Sequence, residues 1–218
     1  MKPWIGRGCA TLAVASLLVG LALSAAHPRW PVVVTLFFFA ATLLFVWKPR
    51  LGLPALSALL PVLNFSPWTG WLIVEEFDLL VLAVLSAGYF RIWRSDLKLR
   101  HVGVATGLTV MACFLIWRGA DGLSWPQFNG FAGYGSPLNT GRVGKSLLWV
   151  GLLSPLLLDV SDEDRRQSLA RFFRGTVLGS VWVVLGVLWE RSFYPGLMDV
   201  QTPYRTVGLF WEMHHGGA

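Results

Sequence analysis

Residues 31–47 read PVVVTLFFFAATLLFVW and contain no charged side chain. A helix rises about 1.5 Å per residue, so about 20 residues cross the roughly 30 Å of hydrocarbon in a bilayer. This stretch reaches that length with a few flanking residues. Trp30 and Trp47 border it, and indole rings favour the lipid headgroup layer. The stretch therefore predicts a transmembrane helix.

Further apolar blocks precede and follow this stretch, and the short joints between them carry most of the lysine and arginine. The blocks lie at about residues 9–26, 31–47, 51–63, 71–90, 102–117, 146–160 and 175–190. The chain is 55% hydrophobic and only 14% charged, whereas soluble domains are near a quarter charged. This composition excludes an ordinary soluble enzyme. We expect an all-α fold, a polytopic transmembrane helical bundle of about six to seven spans, formed as a single domain over residues 1–218.

The block at residues 51–63 decides the orientation, because it is short, contains Pro54 and Pro61, and suits either a kinked span or a re-entrant hairpin. If it crosses, two thirds of the 18 lysines and arginines lie on the side of the N-terminus. Those on the other side are Arg29, Arg118, Arg142, Lys145, Arg191 and Arg205. Basic residues concentrate in cytoplasmic joints, so we expect a cytoplasmic N-terminus and an extracytoplasmic C-terminus. The net charge of +6 then reflects the orientation of the chain in the membrane, and no nucleic-acid partner is expected.

The joint at residues 162–174 mixes both signs of charge and predicts a solvated turn between helices.

Three acidic residues, Glu75, Glu76 and Asp78, interrupt the fourth block. A carboxylate at the bilayer centre costs about 2.5–3.5 kcal/mol, so such residues indicate a functional site by default. On a helix Glu75 and Asp78 share a face, whereas Glu76 points roughly 100° away. We expect an acidic wall near the extracytoplasmic surface that acts as a base or holds a cation such as Arg142 or Arg205. A structural ion pair or a wetted helix end is the alternative.

The C-terminal stretch contains His214 and His215 beside Glu212. Their spacing does not suit zinc, which favours histidines four apart on a helix, so no metal is expected. Imidazole titrates near neutral pH, and an extracytoplasmic histidine can serve as general acid or base. A frayed tail without a role is the alternative.

Together these stretches resemble the bacterial O-antigen ligase and polymerase superfamily. The likeness lies in LPVLNFSPWTGW (60–71), EEFDLL (75–80), SPLNTGR (136–142) with Lys145, RTVGLF (205–210) and MHHGG (213–217). It runs from about residue 51 to the end. Family members are considerably longer, so the resemblance implies an N-terminal portion of the family architecture and leaves open whether this chain is catalytically active.

The resemblance implies an enzyme that acts on undecaprenyl-pyrophosphate-linked saccharides at the outer face of the bacterial cytoplasmic membrane, with no cofactor and with membrane lipids around it. His214, His215 and Glu75 are then the catalytic candidates. The substrate-binding candidates are Arg142, Lys145, Arg205 and Asp78. Two other classes stay open: a transporter module, in which the proline-containing block and the three acids line a substrate or proton path, and a non-catalytic membrane scaffold.

Overall fold

The structure, a computed structural model, describes residues 3–63, 74–95, 102–121, 137–158 and 162–193. Within these ranges the chain forms helices and turns and no strand, so the all-α prediction is confirmed there. The helices are α1 (Pro3–Ala25), α2 (Pro31–Trp47), α3 (Gly52–Leu59), α4 (Glu76–Ser95), α5 (Val102–Ala120), α6 (Pro137–Leu158) and α7 (Asp162–Phe193), with a 3-10 turn at Pro49–Leu51 between α2 and α3.

The bounds of α2 agree with the predicted block, but two later helices begin earlier than predicted. α6 begins at Pro137 rather than near residue 146. The predicted turn at residues 162–174 is wrong, because α7 begins at Asp162 and continues through it. Glu, Arg, Gln, Leu and Ala all have good helix propensity, and mixed charge signs suit an exposed helical turn as well as a loop.

Helix α4 is the centre of the bundle. Every residue from Asp78 to Ala87 is buried, and Tyr89 and Ile92 extend the buried surface towards the end of the helix. α1, α2, α3 and α6 all pack against it. A helix that is buried on all sides has no solvent-facing stripe, so α4 is the element on which these four helices are arranged, while α5 packs on α6 and α7 packs mainly on α3.

The path of the chain separates two ends of the bundle. His27, in the turn before α2, contacts Glu76 at the start of α4, so both lie at one end, here called the acidic end. Arg50, which follows α2, lines a cavity with Arg91 and Arg171 at the opposite end, here called the basic end. Leu63 lines a groove at the acidic end, so the chain returns from the basic end to the acidic end between Arg50 and Leu63. The predicted block at residues 51–63 forms part of that return.

The surface of the bundle is apolar along α2 and α7. The large exposed apolar residues of α2 include Val32, Val33, Leu36, Phe37, Phe39, Leu43, Val46 and Trp47. Those of α7 include Phe173, Val177, Leu178, Val181, Trp182, Val184, Leu185 and Leu188. The interior, in contrast, holds Ser24, Thr42, Asp78 and Glu190. Soluble monomers rarely expose apolar patches beyond a few hundred Å², so this surface indicates a lipid environment.

Two of the described helices could cross a membrane by themselves, over Gly6–Ala25 and Arg166–Phe193. The bent pair Pro31–Trp47 and Pro49–Leu59, which turns by 112°, adds a third if it forms one span. α5 and α6 contain shorter apolar segments. α4 is long enough but carries Glu76, Asp78, Arg91 and Arg94. Helix length and composition thus support membrane-spanning helices, and the number of six to seven spans stays a prediction.

Helices α3 and α7 approach closely through two glycines four residues apart. A Cβ atom on Gly179 would lie 2.6 Å from the Ser57 carbonyl oxygen, and one on Gly175 would overlap the Pro54 carbonyl oxygen and Ser57 Oγ. Ser57 Oγ also donates a hydrogen bond to the Phe172 carbonyl oxygen, at 2.9 Å. Small residues at this spacing allow helices in membranes to gain packing and interhelical hydrogen bonds.

Replacing Gly175 with Ala should therefore destabilise the fold by about 1–3 kcal/mol, because the added methyl group overpacks the α3–α7 contact. Gly107→Ala is the matched control, since a Cβ there meets nothing within 4 Å. Thermal denaturation of the purified full-length protein in detergent should show a lower midpoint for Gly175→Ala alone. Equal midpoints for the two variants would contradict the close approach.

Candidate functional site

Asp78 closes the first turn of α4. Its Oδ2 accepts a hydrogen bond from the backbone N–H of Glu75 at 2.8 Å, which satisfies a donor that the helix itself cannot pair. This is half of a capping box, in which the third helical residue reaches back to the residue before the helix. The positive end of the helix dipole also favours a carboxylate at this position.

The same carboxylate joins α4 to α6. Lys145 Nζ lies 2.7 Å from Asp78 Oδ2, and Trp149 Nε1 donates to Asp78 Oδ1 at 2.7 Å. Lys145 and Trp149 are four apart on α6 and so lie on one face of it. Burying a charge is costly unless it is paired and hydrogen-bonded, and Asp78 meets both conditions. Towards the other end of α4, Tyr89 Oη donates to the Leu152 carbonyl oxygen of α6 at 2.7 Å. Polar contacts therefore hold α4 to α6 both at Asp78 and at Tyr89.

Glu75 is the more accessible carboxylate at this site. Its Oε1 lies 3.8 Å from Lys145 Nζ, and its side chain is 22% exposed against 4% for Asp78. Glu75 precedes α4, which begins at Glu76, so the two residues do not share a helix face as predicted. Both carboxylates nevertheless approach the same ammonium group. Glu75 is therefore the carboxylate here that a ligand can reach.

Glu76 points to a different neighbour, as its position on the helix predicts. Its Oε1 lies 3.2 Å from Nε2 of His27, whose side chain is fully buried in the turn between α1 and α2. His27 Nδ1 accepts the backbone N–H groups of Arg29 and Trp30 at 3.3 and 3.1 Å. Nδ1 is thus an acceptor, so the proton lies on Nε2 and is donated to Glu76.

Sequence reasoning missed His27. Its signal was a lone histidine between an apolar block and Pro28, on the same predicted side as the three acids. The missing information was the contact with Glu76, which is 49 residues away in sequence.

An apolar groove of about 230 Å³ begins at the His27–Glu76 pair and runs between α2 and α4. Its walls are formed by Trp30, Val33, Val34, Phe37, Phe38, Ala41, Leu63, Leu79 and Leu80. Phe37 is 77% exposed, so the groove is open along the apolar outer face of α2. The shape suits an amphiphile, with a chain along the groove and a polar group at the His27–Glu76 end.

The structure brings together Glu75, Asp78 and Lys145 among the predicted site residues. Arg142 lies on α6 close before Lys145, and its side chain falls outside the described residues. Arg205, His214 and His215 also fall outside them, so the predicted meeting of the tail with the acids stays a prediction. No group of three or more His, Cys, Asp or Glu side chains suited to a metal occurs in the part of the chain that the structure describes.

Comparison with protein-family models, with curated proteins and with solved structures finds no match to this chain. The resemblance to O-antigen ligases and polymerases therefore stays a hypothesis that depends on the quoted stretches.

Replacing Asp78 with Leu should destabilise the protein by roughly 3 kcal/mol, because Lys145 loses its closest carboxylate in a buried setting. Asp78→Leu with Lys145→Leu should recover part of that loss, since the deeply buried carboxylate and its ammonium partner are both removed and only the partly exposed Glu75 keeps its charge. Glu75→Gln is the control and should change the free energy of unfolding by less than about 1 kcal/mol, because Glu75 is partly exposed. Thermal denaturation in detergent measures all three, and an equal loss for Glu75→Gln and Asp78→Leu would contradict the assigned roles.

Proposed function

We propose that this chain is a multi-pass protein of the bacterial cytoplasmic membrane that crosses it six to seven times. The apolar outer surfaces of α2 and α7 support this. The 20 residues of α4 span about 30 Å, close to the hydrocarbon thickness. Its charge is compatible with crossing, because Asp78 is paired with Lys145 inside the bundle and is shielded from lipid.

The proposed orientation has the N-terminus inside and the C-terminus outside. Arg50, Arg91 and Arg171 gather at the basic end, and cytoplasmic ends of membrane helices are enriched in basic residues. The acidic end, with the apolar groove and the Glu75–Lys145 pair, then faces the extracytoplasmic side.

At that face the proposed ligand is a lipid-linked saccharide of the undecaprenyl-pyrophosphate class, and the proposed activity is that of a glycan ligase or polymerase. The observation that carries this proposal is the apolar groove, which ends at a polar pair at the acidic end. The apolar walls suit the first units of an isoprenoid chain. Its pyrophosphate would lie at the same end, where Lys145 supplies a cation and Arg29 follows His27 in the turn before α2.

In the proposed reaction an acceptor hydroxyl attacks the anomeric carbon of the saccharide, and the bond to the lipid pyrophosphate breaks. Glu75 or one of His214 and His215 takes the proton of the hydroxyl. Arg142, Lys145 and Arg205 balance the charge of the leaving pyrophosphate. Asp78 differs from these residues, because its three hydrogen bonds favour a role in holding α4 against α6.

A proton-coupled transporter is the second candidate. The observation that favours it is the carboxylate pair Glu75 and Asp78 around one ammonium group between two helices of the bundle, an arrangement typical of proton paths.

Deleting the gene should remove or shorten a surface glycan, because its transfer from the lipid carrier would stop. Glycan profiles of the deletion strain, with and without a plasmid copy of the gene, measure this. A normal glycan profile in the deletion strain would count against the proposed activity.

Ala41→Trp should lower both the complementation of the deletion strain and the binding of a polyprenyl-phosphate probe to the purified protein, because indole would fill the apolar groove. Ala40→Trp is the matched control, since Ala40 is exposed on α2 and does not line the groove. Equal effects of the two variants would argue against a ligand in the groove.

Glu75→Gln separates the two candidate functions. A transporter should lose proton-coupled uptake in membrane vesicles while the glycan profile stays normal. If the protein transfers glycans, Glu75→Gln should change the glycan profile. Neither the parent protein nor the variant should then show pH-driven uptake.

A further inference from the structure

The basic end contains a second cavity, of about 90 Å³, which the proposed function does not use. Three arginines line it, and they come from three separate elements: Arg50 from the turn after α2, Arg91 from α4 and Arg171 from α7. Ser168 adds a hydroxyl group from α7. We call it the arginine cavity. Three arginines from distant parts of the chain line one cavity only because the bundle folds.

The residues that line the arginine cavity do not balance its positive charge. None of the described residues that line it is acidic. Arg171 donates one N–H to Gln167 Oε1 at 2.9 Å, a neutral partner on its own helix. Like charges that share a cavity repel one another, and a bound anion relieves that repulsion. Arginine forms bidentate hydrogen bonds with phosphate oxygens and is suited to this anion.

The remaining walls of the arginine cavity are apolar. Phe45, Val84, Ile92 and Leu156 line it from α2, α4 and α6. Arg50 follows the end of α2, Arg91 lies near the end of α4, and Arg171 lies in the first third of α7. If the helices cross a bilayer, this level is close to the boundary between headgroups and hydrocarbon. A ligand that fits such a place has a phosphate group at one end and apolar chains at the other.

We propose that the arginine cavity binds the phosphate of an anionic phospholipid headgroup at the basic end of the bundle. Free phosphate shares the headgroup chemistry but lacks the chains that would contact the apolar walls. The site depends on the membrane location of the chain and is independent of the glycan-transfer proposal, which concerns the opposite end.

The test uses the purified full-length protein in a neutral detergent at fixed ionic strength. Phosphatidylglycerol, phosphatidylcholine and inorganic phosphate are added separately, and binding is followed by native mass spectrometry and by the thermal denaturation midpoint. We expect phosphatidylglycerol to bind and raise the midpoint, and the other two probes to leave it unchanged. An equal rise with inorganic phosphate, or no binding of phosphatidylglycerol, would overturn the proposal.

Arg91→Gln should weaken phosphatidylglycerol binding about fivefold, because one basic residue near the phosphate contributes about that factor. Arg91→Lys keeps the charge but not the bidentate geometry, so it should lose less affinity than Arg91→Gln, and its thermal midpoint shows whether a variant at this position still folds. Arg94→Gln is the matched control, since Arg94 lies on the same helix and is exposed but does not line the cavity. Equal weakening by Arg91→Gln and Arg94→Gln would show diffuse surface attraction in place of a site and would overturn the proposal.

Discussion

The buried carboxylate of Asp78 is the constraint on which the bundle depends. It lies on the central helix, where the loss of water makes an unpaired charge very costly. Three hydrogen bonds offset that cost, and their donors are the Glu75 backbone, Lys145 and Trp149. The bonds from Lys145 and Trp149 also set the register of α4 against α6. The ion pair therefore holds α6 to the central helix, and apolar residues of α1, α2 and α3 pack around the rest of α4.

The distribution of polar and apolar residues follows from the same requirement that buried polar groups be paired. Large apolar side chains lie outside on α2 and α7, whereas Asp78, His27 and Glu190 lie inside. In water this arrangement would expose a wide apolar surface, but in lipid it leaves polar groups to pair with one another. The glycines at positions 175 and 179 fit this setting, because helices that gain no hydrophobic energy from association depend on close packing.

The two ends of the bundle offer different chemistry, although both collect charged residues from distant parts of the chain. At the acidic end His27 and Glu76 border an apolar groove, and Glu75 lies beside Lys145. At the basic end three arginines border a small cavity with apolar walls. α4 links the two ends over about 30 Å, so a ligand at one end does not contact a ligand at the other.

The sequence by itself determined the helical class, the bounds of α2 and the proximity of Glu75 and Asp78, because hydrophobic periodicity and short sequence separation act over a few residues. It did not determine that Lys145 is the partner of Asp78, that His27 meets Glu76, or that α7 begins at Asp162. The first two contacts join residues 67 and 49 positions apart. Only the tertiary structure decided them, because local propensity does not specify which helices become neighbours. It also does not specify which cation pairs with a buried carboxylate.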